Sequence, residues 1–225
     1  MSDTVSIDRF VSRVSMDCPG GIDFLKKEAV RGAAVDFFKK TRAWREYVSE
    51  GAFVHHFHPE VDANRLARMV SAQAMVFDVN GVWLSKDKTP LRERSRSSMD
   101  AGAGAGDWRG HSAKVPTGYF LTPKRMIRVY PELDQGAEAV GLDVEMVLTP
   151  DLDADVFPAF MSLYAETICA GAAQRLKSQP GMPWSNPEQA RFFMRLWLDG
   201  VREARLEKAR RVASAINERR RTSFR

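Results

Sequence analysis

Hydrophobic positions along the chain change their period twice. Between residues 21 and 43, Ile22, Leu25, Ala29, Val30, Ala33, Phe37, Phe38 and Thr41 keep i, i+3, i+4 spacing, which predicts a helix with one buried stripe. A shorter helix is expected over 6–15, set apart by Pro19-Gly20-Gly21. From about Trp44 to Pro150 the runs become short and rich in β-branched and aromatic residues: REYVSEGAFVHHF, AQAMVFDVNGVWL, GYFLTP, RMIRVYP and LDVEMVLTP. These predict strands, with turn signals such as Asn80-Gly81 between them. Helical spacing returns over 158–177, with Phe157, Phe160, Met161, Tyr164, Ile168, Ala172 and Leu176 on one face, and again over 187 to about 217.

Helix, then strand, then helix predicts an α+β fold in which the terminal helices form an α-helical bundle core and a β-rich, sandwich- or barrel-like insertion occupies the middle. The expected segments are 1–44 (N-terminal helices), 45–150 (the β-rich insertion), 151–204 (a helical hairpin completing the bundle) and 205–225 (a basic C-terminal docking arm). A length of 225 residues suits one core with a sizeable insertion. No internal repeat is detectable.

Between the last two helical segments lies RLKSQPGMPWSNPEQARFF. Pro180 and Pro183 stop the first helix, Gly181 turns the chain, Asn186 caps the second helix and Pro187 suits its first position. Trp184 is expected to bury against both helices, so the corner of Pro180, Gly181, Pro183, Trp184 and Pro187 fixes an αα-hairpin. The helix that follows would run about 45 Å at 1.5 Å per residue, more than a domain of this size is wide. Its apolar stripe also changes sides near Arg205. Phe193, Trp197, Gly200 and Ala204 share one face, whereas Leu206, Ala209, Ala213 and Ile216 cluster on roughly the opposite one. Either the helix kinks or the second stripe docks on another chain; the plainer alternative is a solvated, fraying end.

Charge sharpens this picture. The net charge is +5, yet residues 202–225 hold nine Lys/Arg against three Glu, so everything before them sums to −1. Such a basic block meets nucleic acid, a membrane surface or an acidic protein. The polar start MSDTVSIDRF carries no secretory signal, and the most apolar stretch contains Pro158 and Glu166, so the chain is expected to be made in the cytoplasm, with no membrane partner. Cys18 and Cys169 suit buried free thiols better than a disulfide.

Candidate chemistry is sparse. His55, His56 and His58 lack further ligands at a metal spacing, and on a strand only His56 and His58 would share a face. DAGAGAGDWRG fits no phosphate-loop pattern; with KDKTPLRERSRSSM it forms a long polar excursion over 86–107. Asp151, Asp153 and Asp155 are expected as a helix lead-in. No nucleophile elbow, HExxH or CxxC is present, so the chain is expected not to be an enzyme and to use neither metal nor cofactor. The tail, EKARRVASAINERRRTSFR, suits non-specific phosphate contact better than sequence reading.

The succession of "CP", "TRAWRE", "NGVWL", "DWRG", "VPTGYFL", "RVYP", "LTP", "AGAAQRL", "PGMPWSNPEQA" and "FFMRLWLDGVREA" resembles the head-to-tail adaptor (connector, or neck) proteins of tailed bacteriophages, over roughly residues 5–210. The resemblance implies a structural virion protein, a homo-oligomeric ring of typically twelve copies beneath the portal that joins the DNA-filled capsid to the tail. Its implied partners are the portal protein, a tail or second neck (nozzle) protein, further copies of itself and, non-specifically, double-stranded DNA in the channel. Its implied place is the virion neck. Portal docking would then fall to Leu206, Ala209, Arg210, Arg211, Val212, Ala213, Ile216, Arg219, Arg220, Arg221 and Phe224. The alternatives are a non-specific nucleic-acid-binding protein acting through its basic C-terminal helix, or another neck component such as a stopper or tail terminator.

Overall fold

The structure is a computed structural model that describes residues 3–95 and 111–222, with side chains omitted for Glu50, Gly51, Lys208 and residues 211–222. The fold is α+β. It divides into two compact units, one formed by residues 1–44 and 149–225 and the other by residues 45–148.

The first unit is helical. A short strand, β1 (Thr4–Ser6), leads into α1 (Ile7–Asp17), whose first turn is capped by the Ser6 hydroxyl accepting from the Asp8 amide at 3.2 Å. Then come α2 (Asp23–Thr41), α4 (Ala165–Lys177) and α5 (Pro187–Thr222). Helix α4 runs through the middle, packed by α1, α2 and α5. Its sequence explains the position: Ala170, Gly171, Ala172 and Ala173 are all buried, and side chains this small let three neighbours approach one backbone. Around it, Phe37 and Phe38 of α2 meet Tyr164, Trp44, Phe160 and Trp197 at ring-centroid distances of 4.8–6.2 Å.

Three expectations change here. Ile22 caps α2 and is exposed, while Ala34 and Val35 are buried, because α2 is covered on more than one side and a single stripe does not describe it. Residues 158–164 are not α-helical. Phe157 lies in β11 (Val156–Pro158), which pairs antiparallel with β1, and a 3-10 turn over Ala159–Tyr164 follows before α4 starts. The aspartates at 151, 153 and 155 open no helix: they sit between strands, and Asp155 meets the Arg31 guanidinium at 2.6 Å while Arg31 Nε donates to the Ala154 carbonyl at 2.9 Å.

The second unit holds a curled, mixed seven-stranded sheet in the order β2 (Arg45–Val54), β10 (Val140–Pro150), β4 (Ala74–Leu84), β5 (Pro90–Glu93), β7 (Gly118–Leu121), β8 (Met126–Tyr130), β3 (Glu60–Asp62). Strands β5 and β7 are parallel; β2/β10, β4/β5, β7/β8 and β3/β8 are antiparallel. The two outermost strands are consecutive in the chain. The turn joining them closes with His55 and His58 exchanging backbone hydrogen bonds of 3.2 and 3.0 Å. Histidines 55 and 58, not 56 and 58, therefore face one another, with ring centroids 4.7 Å apart; His56 Nδ1 donates to the Leu133 carbonyl at 2.8 Å. A separate parallel pair comprises β6 (Ser112–Ala113) and β9 (Glu132–Leu133).

Asn80-Gly81 is not a turn. Both residues lie inside β4, where Asn80 Nδ2 donates to Glu145 Oε1 at 3.2 Å and the bare Gly81 makes room for the ring of Trp83, whose Cη2 would stand 2.6 Å from a Cβ there. Helix α3 (Ala63–Val70), unpredicted, buries Ala63, Leu66 and Ala67, and its Asp62 cap accepts from the Asn64 amide at 2.9 Å. Among the described residues no helix is long and apolar enough to cross a membrane.

Among the described residues, Asp143 is the one buried carboxylate of the second unit, at a register shift of β10. It accepts from Tyr47 Oη at 2.5 Å and Ser85 Oγ at 2.7 Å, and pairs with Lys88. Burial pushes its pKa up, but the bonds from Lys88, Tyr47 and Ser85 together outweigh burial and hold it below the usual carboxylate value. The stabilisation is therefore full above the unfolded value of about 3.9 and disappears as pH falls through the lower folded value. Asp143→Asn should flatten the acid limb of the melting-temperature profile while costing about 1–3 kcal/mol at neutral pH. An acid limb identical to that of the parent would refute this.

Candidate docking surface

The corner between α4 and α5 is built from backbone closure. The amide of Ser178 donates to Gln174 O at 3.1 Å, Gly181 takes φ +75°, and the Asn186 amide returns to Lys177 O at 3.0 Å. Asn186 Oδ1 then accepts from the Gln189 amide at 3.0 Å, three residues into the helix that Pro187 begins. Trp184 is buried, its Nε1 donating to Gln179 Oε1 at 3.2 Å. Pro180, Gly181 and Pro183 are exposed around it.

From that corner α5 runs back along α4. Ala190, Trp197, Val201 and Ala204 form its buried stripe. The contact is close because each helix offers a glycine to the other: a Cβ on Gly171 would lie 2.6 Å from Trp197 Cε3, and one on Gly200 would lie 2.7 Å from Thr167 Cγ2. Further along, Arg205 Nε donates to the Lys40 carbonyl at 2.9 Å, in the final turn of α2. Nothing in the sequence pattern marks this bond, since Arg205 sits among other exposed basic residues.

Beyond Ala204 the described side chains of α5 are exposed. Leu206 is 49% exposed, and Ala209 and Arg210 are exposed too. The helix nevertheless continues uninterrupted to Thr222, about 27 Å past Ala204 at 1.5 Å per residue. Arg211, Val212, Ala213, Ile216, Arg219, Arg220 and Arg221 all lie on this continuation, their side chains outside the described set; Phe224 lies outside the described residues. Where α5 leaves the bundle, Leu163, Tyr164 and Thr167 face Asp199–Arg210 across an open groove of about 580 Å³. Leu163, 76% exposed, lines it together with Leu206, and Asp199, Arg202, Glu203, Glu207 and Arg210 add both signs of charge.

The long excursion after β4 begins as a tight connection in which Lys88 takes φ +57° and leads into β5, while residues 96–110, including the glycine-rich stretch, lie outside the described residues. Cys18 and Cys169 are buried free thiols, and burial pushes the Cys169 thiol up to about 12, where it is not a nucleophile at neutral pH. No protein-family model matches the chain, and no curated protein matches it either.

Proposed function

We propose that the protein is a structural adaptor of a tailed-bacteriophage neck, a ring subunit beneath the portal whose C-terminal helix docks on the portal protein. The observation that carries this reading is the continuation of α5 past Ala204, the last buried one among its described side chains, together with exposed Leu206, Ala209 and Arg210. Within the helical unit, Arg205 on the Lys40 carbonyl ties the helix to α2 just past that residue. A helix of this composition gains little stability alone in water, since isolated helices depend on a packed face. A partner that covers the Leu206 side and offers carboxylates to Arg210 and the following arginines supplies that face. The resemblance over residues 5–210 adds the identity of the partner, the portal, and the arrangement as a ring in the neck.

Truncation after Arg205 leaves the buried stripe and the Lys40 tie intact and removes the arm. The expected outcome is a protein with unchanged melting temperature that no longer co-sediments with purified portal. Undiminished portal binding by the truncated chain would exclude the arm as the docking element.

A further inference from the structure

The turn between β2 and β3, His55-His56-Phe57-His58, carries three of the chain's four histidines. Backbone hydrogen bonds run both ways between His55 and His58, which holds these two residues opposite each other at the base of the turn. Their rings stand 4.7 Å apart, centroid to centroid, with their planes 85° to one another. His56 is engaged elsewhere, through Nδ1 on the Leu133 carbonyl. Among the described residues, neither the His55 nor the His58 imidazole has a hydrogen-bond or ion-pair partner. His55 is half-buried and His58 is exposed, so solvent reaches both. A metal–nitrogen bond of about 2.0–2.1 Å would place an ion lying in the plane of both rings about 3.2 Å from each centroid, so the 4.7 Å separation corresponds to a nitrogen–metal–nitrogen angle of about 95°. That is close to the angle of about 90° between neighbouring ligands of a tetragonal ion and well short of the tetrahedral angle of about 109°. The imidazole χ2 torsion is soft, so each ring can turn a nitrogen toward the ion while the backbone stays where it is.

We propose that His55 and His58 together bind a tetragonal divalent transition-metal ion, copper(II) or nickel(II). Imidazole nitrogen suits both ions, and no third His, Cys, Asp or Glu joins the pair among the described residues, so water fills the remaining positions. The sequence concealed the pair, because on a regular strand His56 and His58 share a face and only the turn brings residue 55 to residue 58. The bound ion clips the two ends of the turn and ties β2 to β3 beside the exposed Phe57. Nothing in this site depends on the adaptor reading.

The test titrates the full-length chain with copper(II) and, separately, with nickel(II) in a calorimeter, and one ion per chain is expected to bind. His55→Ala and His58→Ala should each weaken binding by about tenfold or more, since even a group that only orients a ligand is worth about 10–100-fold in affinity. The double variant should be little weaker than either single one, because a chelate is lost with its first ligand. Substituting the fourth histidine, His111→Ala, should leave binding as in the parent. Melting temperatures measured without metal should be equal in all of these chains, which separates loss of a ligand from loss of the fold. The electron paramagnetic resonance spectrum of copper(II) on the parent should carry the coupling of two imidazole nitrogens, and this reading stands whether or not a variant folds. Affinity unchanged by either single substitution, losses that add in the double variant, or a parent spectrum with one coordinated imidazole overturns the site.

Discussion

Trp197→Ala is expected to destabilise the helical unit by about 3–5 kcal/mol, the range for deleting a large buried aromatic side chain. The ring is 5% exposed, its centroid lies 6.1 Å from that of Phe37, and Lys40 Nζ stands 5.8 Å from it. What places the loss near the top of that range is the opposite wall. Trp197 rests on Gly171, which has no side chain of its own to swing into the vacated space. Backbone collapse is opposed as well, because α4 is held by α1 and α2 on its other sides. A double-mutant cycle identifies the mechanism. Gly171→Ala alone forces a methyl into the ring and costs about 1–3 kcal/mol, whereas in the Trp197→Ala background the same change is neutral or favourable by up to about 1 kcal/mol through helix propensity. Urea unfolding of the four chains measures this. A Trp197→Ala loss under about 1 kcal/mol would show that the ring is not the anchor.

The same residues show what sequence patterning conveys and what it hides. Periodicity located α2, α4 and the buried face of α5, because 3.6-residue spacing is a direct consequence of burial on one side. It could not say that Gly171 and Gly200 each receive a side chain from the facing helix, since that depends on which turns of α4 and α5 come level. The Asn80-Gly81 pair shows a local preference overridden: it reads as a hairpin turn in isolation, but Trp83 two residues on needs the glycine face of the same strand. Helix α3 went unpredicted although Asp62 as cap and Ala63, Leu66 and Ala67 at helical spacing signal it, because it is short and embedded among strand-like runs. The change of stripe near Arg205 was visible as a change of phase. The outward position of Phe192, Met194, Leu196 and Leu198 on α5 was not, because these side chains are apolar and read as core until their exposure is known.

Trp184→Ala should cost about 3–5 kcal/mol as well, but through a different element. The corner spans Ser178 to Asn186, and apart from its closing bonds to Lys177 and Gln174 it holds a single buried side chain, Trp184. Removing that side chain leaves Gln179 without its indole donor and the apolar space beneath the corner open to water. Trp184→Phe separates the two losses: it refills most of the volume and forfeits only the Nε1 bond, for an expected cost of about 1 kcal/mol. The melting temperature should fall by roughly 10 °C for Ala and by only a few degrees for Phe, given about 2–4 °C per kcal/mol in a chain of this size. The direction of α5 follows from the corner and from the seam below it together. With the glycine contacts of the seam still in place, Trp184→Ala loosens the start of α5 around Pro187 and Ala190 while leaving its far half aligned. Amide exchange should therefore accelerate over residues 178–193 and stay unchanged near Val201 and Ala204. Exchange that accelerates uniformly along α5 would mean that the corner, not the seam, sets the helix direction.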